Sequence, residues 1–467
     1  MSSVNYGSRE AGWPAVRVAW YGVFVLMLAG LVGIMDHQIF NLVVDPIRKS
    51  LGLTDVQISI LQGLAFTLFY MVVGLPIGWL VDRVHRLRLT GIGTAIMGIG
   101  TLGCGVAHSF DVMFVSRTLA GIGEAALAPA AVSLIADYFS PRRRPVAMSV
   151  YGAYEMGGAG LSLLTGGAML VAAGSLRHLP VPGFGALEAW RFVFIAAAIP
   201  AFVIAFVLLT ASEPPRRDDS QVDAGREDPE ASEISQDFWE FLVKSWGWLV
   251  PHVLALSVVA SVSMGLLNWM PTILIRDHSW QAAHIGFSFG VLFLLMGPCG
   301  TLSAGYITGV WQRRGIEDAA LRAAILGSVI VCGAVAAIGL PWSSQTVLIP
   351  IGAAIFGTSL TPTVSAIAIQ HATPSHLRGR VSAIYFLVTG IVAGNLGPLL
   401  PALLTQYVFQ DPTRIGLSLA IVGLVAAPLV ATGLLAALAP YRHLISEQVA
   451  AASVRRFEPQ TAVATGD

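Results

Sequence analysis

Asp36, Arg117, Glu124 and Glu155 are ionisable residues set inside long apolar stretches, where a charge costs at least about 2.5–3.5 kcal/mol on insertion scales. Each therefore needs a partner, a water-filled cavity or a task. Arg117 and Glu124 are seven residues apart, so on one helix they share a face about 10 Å apart along its axis. A permanent tight pair is strained at that distance, and removing a carboxyl from water favours its protonated form. A carboxyl near neutrality with a movable cation two turns away suits proton carriage, and Gly121 and Gly123 leave room between them for water or a solute. The plainer reading of Glu124 is a hydrogen bond that fixes its helix. Glu155 precedes Met156-Gly157-Gly158-Ala159-Gly160, a run suited to close helix packing, and fits either a cavity wall or a helix contact. His37, beside Asp36, reads as a hydrogen-bond partner or a second proton-sensitive group.

The elements that hold these residues follow from composition. Of 467 residues 55% are hydrophobic and 12% charged, well below the quarter usual in soluble domains. Apolar runs long enough to cross a bilayer fall at about 20–44, 56–81, 88–107, 111–138, 144–173, 190–211, 247–275, 281–310, 320–340, 346–372, 378–405 and 414–440. The expected fold is all-α and polytopic, with twelve transmembrane helices in two six-helix bundles. The expected units are 1–211, an acidic linker 212–246, a second bundle 247–440 and a tail 441–467. The linker ends in Phe238-Trp239-Glu240-Phe241-Leu242, a stretch able to lie on the membrane surface as a short helix. With both termini inside, 20 of the 27 Lys and Arg lie on the cytoplasmic side, which predicts cytoplasmic termini in an inner membrane. A net charge of zero gives no case for nucleic acid. Cys104, Cys299 and Cys332 lie in apolar runs, which argues against disulfides and thiolate metal sites. Nucleotide-binding, metalloprotease and hydrolase motifs are absent from the sequence, so an enzyme is not expected, and no cofactor or metal is expected either. The start of the chain lacks the order of a cleaved leader, so the first run reads as a retained span.

The halves repeat. Pro141, Tyr151 and Gly157 are answered by Pro374, Tyr385 and Gly390, and Gly78 by Gly305. Both copies start on the same side, a parallel repeat of the kind that leaves a cavity between halves. The segment Gly78-Trp79-Leu80-Val81-Asp82-Arg83-Val84-His85-Arg86-Leu87-Arg88 closely resembles the loop signature of the major facilitator superfamily. Arg313-Arg314, Arg142-Arg143-Arg144 and Arg378-Gly379-Arg380 extend the likeness over the whole chain. Met35-Asp36 and Arg117-Thr118-Leu119-Ala120-Gly121-Ile122-Gly123-Glu124-Ala125 look like its spinster branch, whose eukaryotic members are associated with lysophospholipid and sphingosine-1-phosphate export. In that branch Arg is expected where this chain has His37.

The resemblance implies alternating access, with spans one and four lining the cavity. Asp36 and Arg117, at similar depth, are expected to interact, the alternative being that each meets another buried partner. A cytoplasmic gate is expected at Gly78, Asp82, Arg83, Arg86, Asp137, Arg143 and Arg144, with Arg83 and Arg86 reaching Asp137; the alternative is that these charges only set topology. Gly309 stands where the second copy would need an acid, so its latch is expected to lack one. Spans seven, eight, ten and eleven are read as having no acidic or basic residue in their interiors, with Asn268, Trp269, Tyr385 and Asn395 as candidate cavity residues alongside His37 and Tyr154. One charged and one apolar wall suit an amphiphile whose head meets Arg117 and whose tail lies on the second half. Proton coupling to Glu124 is expected, with a small organic anion, a drug-like solute or an uncoupled facilitator as alternatives. A channel would call for pore-lining rings instead. Each chain holds both halves of a cavity, so a monomer in the lipid bilayer is expected, working on a small molecule and protons.

Overall fold

In a computed structural model, the described residues are 13–176, 180–181, 185–186, 188–216 and 231–457. Among them, twelve helices are long and apolar enough to cross a membrane. They are Val16–Leu42, Asp55–Val81, Arg86–Val106, Phe110–Tyr138, Arg144–Ser175, Ala189–Thr210, Asp237–His278, Ala282–Arg313, Ala319–Ile338, Leu348–Ala372, Arg378–Phe409 and Pro412–Gln448, hereafter spans one to twelve. Helices are what a bilayer demands, since lipid offers no partner to a bare backbone amide. A two-residue hairpin, Pro180–Val181 with Gly185–Ala186, lies between spans five and six.

The helix ends are written in the sequence. Thr54 and Gln57 form a capping box at the start of span two, and the Ser109 side chain accepts from the Val112 amide at the start of span four. Gly52, at φ +65°, closes the short helix Val44–Leu51. Two spans are broken inside. Span two passes through a π turn at Leu64–Leu68 directly after Gly63, a feature often found near working sites. Span four pauses at Ala125 and Ala126, immediately after Glu124.

Within the first half, span three packs on spans four and six, and span one on span five; within the second, span seven packs on eleven and twelve, and span nine on ten and twelve. The halves meet through spans five and eight and through spans two and eleven. Glycines make those seams close: a Cβ at Gly286 would stand 2.6 Å from the Leu163 carbonyl oxygen, and one at Gly290 2.7 Å from that of Gly160. Gly63 likewise lies on the Gly394 carbonyl, where a Cβ would come within 2.5 Å. These seams lie toward the face opposite the termini. Toward the termini the halves part: Met71 still touches Gly390, but a Cβ at Gly74, Gly78, Gly157 or Gly305 meets nothing within 4 Å.

One boundary differs from expectation. The helix containing span seven begins at Ala231 and runs unbroken to His278, so Phe238–Leu242 belongs to it and forms no separate surface helix. With good helix formers and no break before it, the helix simply continues out of the membrane. At the other end, the last helix runs from Ile415 to Phe457, past the expected start of the tail.

Candidate functional site: a buried ion pair beside a cavity between the halves

Span one carries Asp36, span three Thr101 and span four Arg117 to one depth. Arg117 Nη1 donates to Asp36 Oδ2 at 2.6 Å, and Thr101 Oγ1 donates to Asp36 Oδ1 at 2.7 Å. Arg117 Nε reaches the Leu61 carbonyl at 3.4 Å, while Nη2 lies 3.3 Å from His37 Nδ1. Arginine can only donate, so Nδ1 is the acceptor and the neutral ring carries its proton on Nε2. The rings of Phe40 and Phe66 flank the guanidinium, each centroid 4.7 Å from Cζ. Arg117 is 0% exposed and Asp36 1%. A pair this deeply enclosed is held by mutual need: removing either member would strand a charge out of water.

Beside the pair lies a cavity of about 390 Å³ between the halves. Its polar lining is His37, Gln38, Gln62, Thr67, Tyr70, Glu124 and Asn268; Phe66, Met71, Met264, Leu267 and Phe293 supply most of the apolar remainder. Glu124 ends the helical segment Phe110–Glu124, and its carboxyl occupies the space that a side chain at Gly33 would need, 2.8 Å from an added Cβ. Its Oε2 is buried with no hydrogen-bond partner among the described residues. Arg117 and Glu124 share a helix but are not joined in this conformation.

Of the other expected cavity residues, Tyr154 packs its ring on span one at Gly30. Asn268 lines the cavity and accepts from Asn41 Nδ2 at 3.0 Å, while its carbonyl accepts from Gln62 at 3.1 Å. Trp269 is buried and donates to the Pro398 carbonyl at 2.8 Å, and Tyr385 is buried in the second half near His252. Neither lines the cavity, because each ring fills the interior of its own bundle. Asn395, inside its helix, donates from Nδ2 to the Ile391 carbonyl one turn back at 2.8 Å and lies at the seam with Gly63. Glu155 is helical, but its side chain lies outside the described residues. The second half does hold an ionisable group: His252 of span seven is buried, its Nε2 2.9 Å from Ser365 Oγ. A head group at Arg117 is also corrected, since that guanidinium is enclosed by Asp36, His37 and two rings and is absent from the cavity wall.

The face opposite the termini is tied by a charge network that the sequence reading counted only as topology. Arg276, at the end of span seven, donates from Nε to Asp45 at 2.8 Å and grips both oxygens of Asp55 at 2.9 and 3.0 Å. Arg48 adds a bond to Asp55 at 3.0 Å and Lys49 one to Asp45 at 2.8 Å. Arg276 comes from one half and its partners from the other, so the network spans the seam. Burial pushes the Asp45 carboxyl up, but Lys49 and Arg276 together hold it below the usual carboxylate range. A lone Arg at the far end of a span, opposite a loop with two acids, was the available signal.

At the termini face, Arg86 pairs with Asp137, donates to Ser133 Oγ at 2.8 Å and binds Glu213 at 2.6 Å. Glu213 also lies 2.8 Å from His85 Nδ1; it escaped the sequence reading because it sits in the expected linker. Arg144 donates to the Ala136 carbonyl at 3.0 Å, and Arg143 lines a pocket with Trp13 and Tyr138. Arg83 does not reach Asp137; its guanidinium lies 3.5 Å from the Trp79 ring centroid. Gly78 faces open space and Asp82 is exposed. The bonds of His85, Arg86 and Arg144 join residues of the first half to one another and to Glu213 just beyond it. In the second copy Asp318, not the position of Gly309, supplies an acid, bound to Arg322 at 2.8 Å and Arg442 at 2.9 Å.

Residues 26–398 match the model of the Major Facilitator Superfamily. An MFS-type efflux pump of Mycolicibacterium smegmatis is 24% identical over 416 residues, covering 88% of this chain and 90% of that protein. Protein spinster of Drosophila melanogaster is 24% identical over 62% of this chain and 46% of its own length. Among solved structures, a bacterial homologue of the human lysosomal transporter Spinster, inward-facing and unoccupied, superposes with a TM-score of 0.76 at 20% identity, covering 93% of this chain and 99% of that one. Twelve spans in two halves, the loop signature and the family match agree: the chain belongs to the major facilitator superfamily, and it resembles the spinster proteins within it.

Proposed function

We propose that this protein is a proton-coupled secondary transporter of an amphiphilic, lipid-like solute, working as a monomer in a cytoplasmic membrane with both termini inside. The observation that carries the reading is Glu124 on the wall of the cavity between the halves, with its Oε2 buried and without a hydrogen-bond partner among the described residues. A protonated carboxyl is tolerated there; an ionised one needs a cation. Arg117 is the neighbouring cation, and Asp36 and His37 now hold it. Gain and loss of a proton at Glu124 therefore decide whether Arg117 stays with span one or is drawn along span four. The seam closed by Arg276 on one face and open toward the termini on the other supports an inward-facing state, given the excess of Lys and Arg on the termini side. The apolar wall of Met264, Leu267 and Phe293 suits an acyl chain.

Reconstituted protein is expected to accumulate labelled lysophosphatidylcholine when a pH gradient is imposed. The variant Glu124→Gln is expected to lose that accumulation while keeping solute exchange at zero gradient, since exchange needs no net proton movement. Accumulation by the variant that remains responsive to the gradient would refute the role of Glu124.

A further inference from the structure

Away from the cavity, the second half buries a histidine for which transport through the first half has no use. His252 of span seven is 0% exposed, and its Nε2 lies 2.9 Å from Ser365 Oγ of span ten. Ser365 shares a side-chain hydrogen bond with Tyr385 of span eleven, and Tyr385 another with Thr389. A hydroxyl both donates and accepts. One run of donors, from His252 Nε2–H through Ser365 and Tyr385 to Thr389, therefore satisfies every link and leaves the ring's lone pair on Nδ1. That Nδ1 is buried without a hydrogen-bond partner among the described residues. Two neighbours on the same helix share its condition. Trp248, one turn earlier and with its ring centroid 5.8 Å from that of His252, has an unpartnered Nε1, and Ser245 has an unpartnered Oγ. Both are 1% exposed. At about 100° per residue the three side chains fall within about 60° of one another, over about 10 Å of the helix axis. An indole donor, an imidazole acceptor and a hydroxyl thus line one buried face, each costly to enclose unmet.

We propose that internal water occupies this face of span seven from Ser245 to His252, and that it makes His252 a proton-binding site of the second half, separate from the cavity. Buried water sits among about two to four polar groups that the protein leaves unmet. Here Trp248 Nε1–H donates to such a water, and the water donates to His252 Nδ1. The column begins close to the aqueous face, since Lys244, next to Ser245, is exposed. A proton carried in on the water adds to the Nδ1 lone pair: one N–H bond forms, one O–H bond of the hydrated proton breaks, and Nε2 keeps its hydrogen. Among the described residues, the ionisable groups facing the column are Tyr385 of span eleven and Tyr441 of span twelve, whose ring lies 5.3 Å from that of Trp248. Span ten presents Ser365 and the Ala368 carbonyl. Asp318, before span nine and beside Tyr441, is held by Arg322 and Arg442. Water and the hydroxyl run, rather than a carboxylate, therefore solvate the charge. That run joins spans seven, ten and eleven and ends at Thr389, next to the Gly390 on which Met71 of the first half packs. Protonation of His252 thus bears on the seam of spans two and eleven from inside the second half.

The test is deuterium exchange at the imidazole C2–H, read by mass spectrometry on the full chain in detergent from about pH 4 to pH 9. That exchange needs both a protonated ring and solvent at it, so a dry, neutral histidine keeps its hydrogen. The C2–H of His252 is expected to exchange with a sigmoidal dependence on pH, more slowly than that of His443, whose side chain is 75% exposed. Trp248→Phe keeps a ring and removes the indole N–H, and Ser245→Val replaces a hydroxyl with a methyl. Together they are expected to slow exchange at His252 by about tenfold, the effect of one good hydrogen bond, and to leave His443 unchanged. No exchange at His252 while His443 exchanges, or exchange without the sigmoid, overturns the proposal on the native protein alone. An undiminished rate in the folded double variant overturns the water column.

Discussion

Asp36 and Arg117 stand or fall together. Asp36→Asn leaves a guanidinium enclosed by two rings with a neutral amide for company, and is expected to cost about 3–5 kcal/mol, read as a fall in thermal denaturation temperature in detergent. A cost below about 1 kcal/mol would mean that another anion neutralises Arg117. These two residues, with Glu124, were visible in the sequence because a charge inside an apolar run is conspicuous. Their supports were not: Thr101, Phe40 and Phe66 are ordinary residues of apolar helices, and only the fold brings them to the guanidinium. Nor was the enclosure of Arg117 visible, because spacing along a helix gives depth and face but not which neighbours cover a side chain. That enclosure takes Arg117 off the cavity wall and leaves Glu124 on it.

The elements that change partners during transport are the seams, and the seam opposite the termini is held by Arg276. Arg276→Gln removes its ion pairs with Asp45 and Asp55 while leaving both halves intact, so the halves are expected to part more readily on that face. Spin labels at the outer ends of spans two and eleven should report a longer or broader distance distribution in the variant; an unchanged distribution would assign closure to the glycine seams alone. The same labels test the pH response. The Asp45 carboxyl is held below its usual range by Lys49 and Arg276, so its contribution to closure is complete above the ordinary carboxylate value of about 4 and is lost only as pH falls below it. The contribution of Asp45 to the seam distance should therefore be constant between about pH 8 and pH 5. A pH dependence of transport in that window then does not arise from Asp45. The gate residues of the termini face were legible as a motif, but their state was not: Arg86 and Asp137 meet, while Asp82 is exposed and Arg83 lies on Trp79. A loop signature serves every conformation of the cycle, and one structure holds one of them.

At the scale of the whole molecule, hydropathy alone placed the twelve spans, because a bilayer leaves helices little freedom in length or composition. The parallel repeat placed the cavity between the halves. The long helix from Ala231 was harder to read, since acidic, polar helix and acidic linker share a composition. His252 was overlooked because a histidine near a span's end resembles an interfacial residue. Among the described residues, the cavity between the halves has in its wall a carboxyl oxygen, Glu124 Oε2, without a hydrogen-bond partner, and the account turns on that group exchanging a proton during transport. Infrared difference spectroscopy of the protein in lipid, recorded on adding lysophosphatidylcholine, observes that exchange directly. The account predicts that a protonated-carboxyl C=O band is lost when the solute binds, and that the loss is absent from Glu124→Gln. A band that persists on binding, or that disappears equally in the variant, would contradict it.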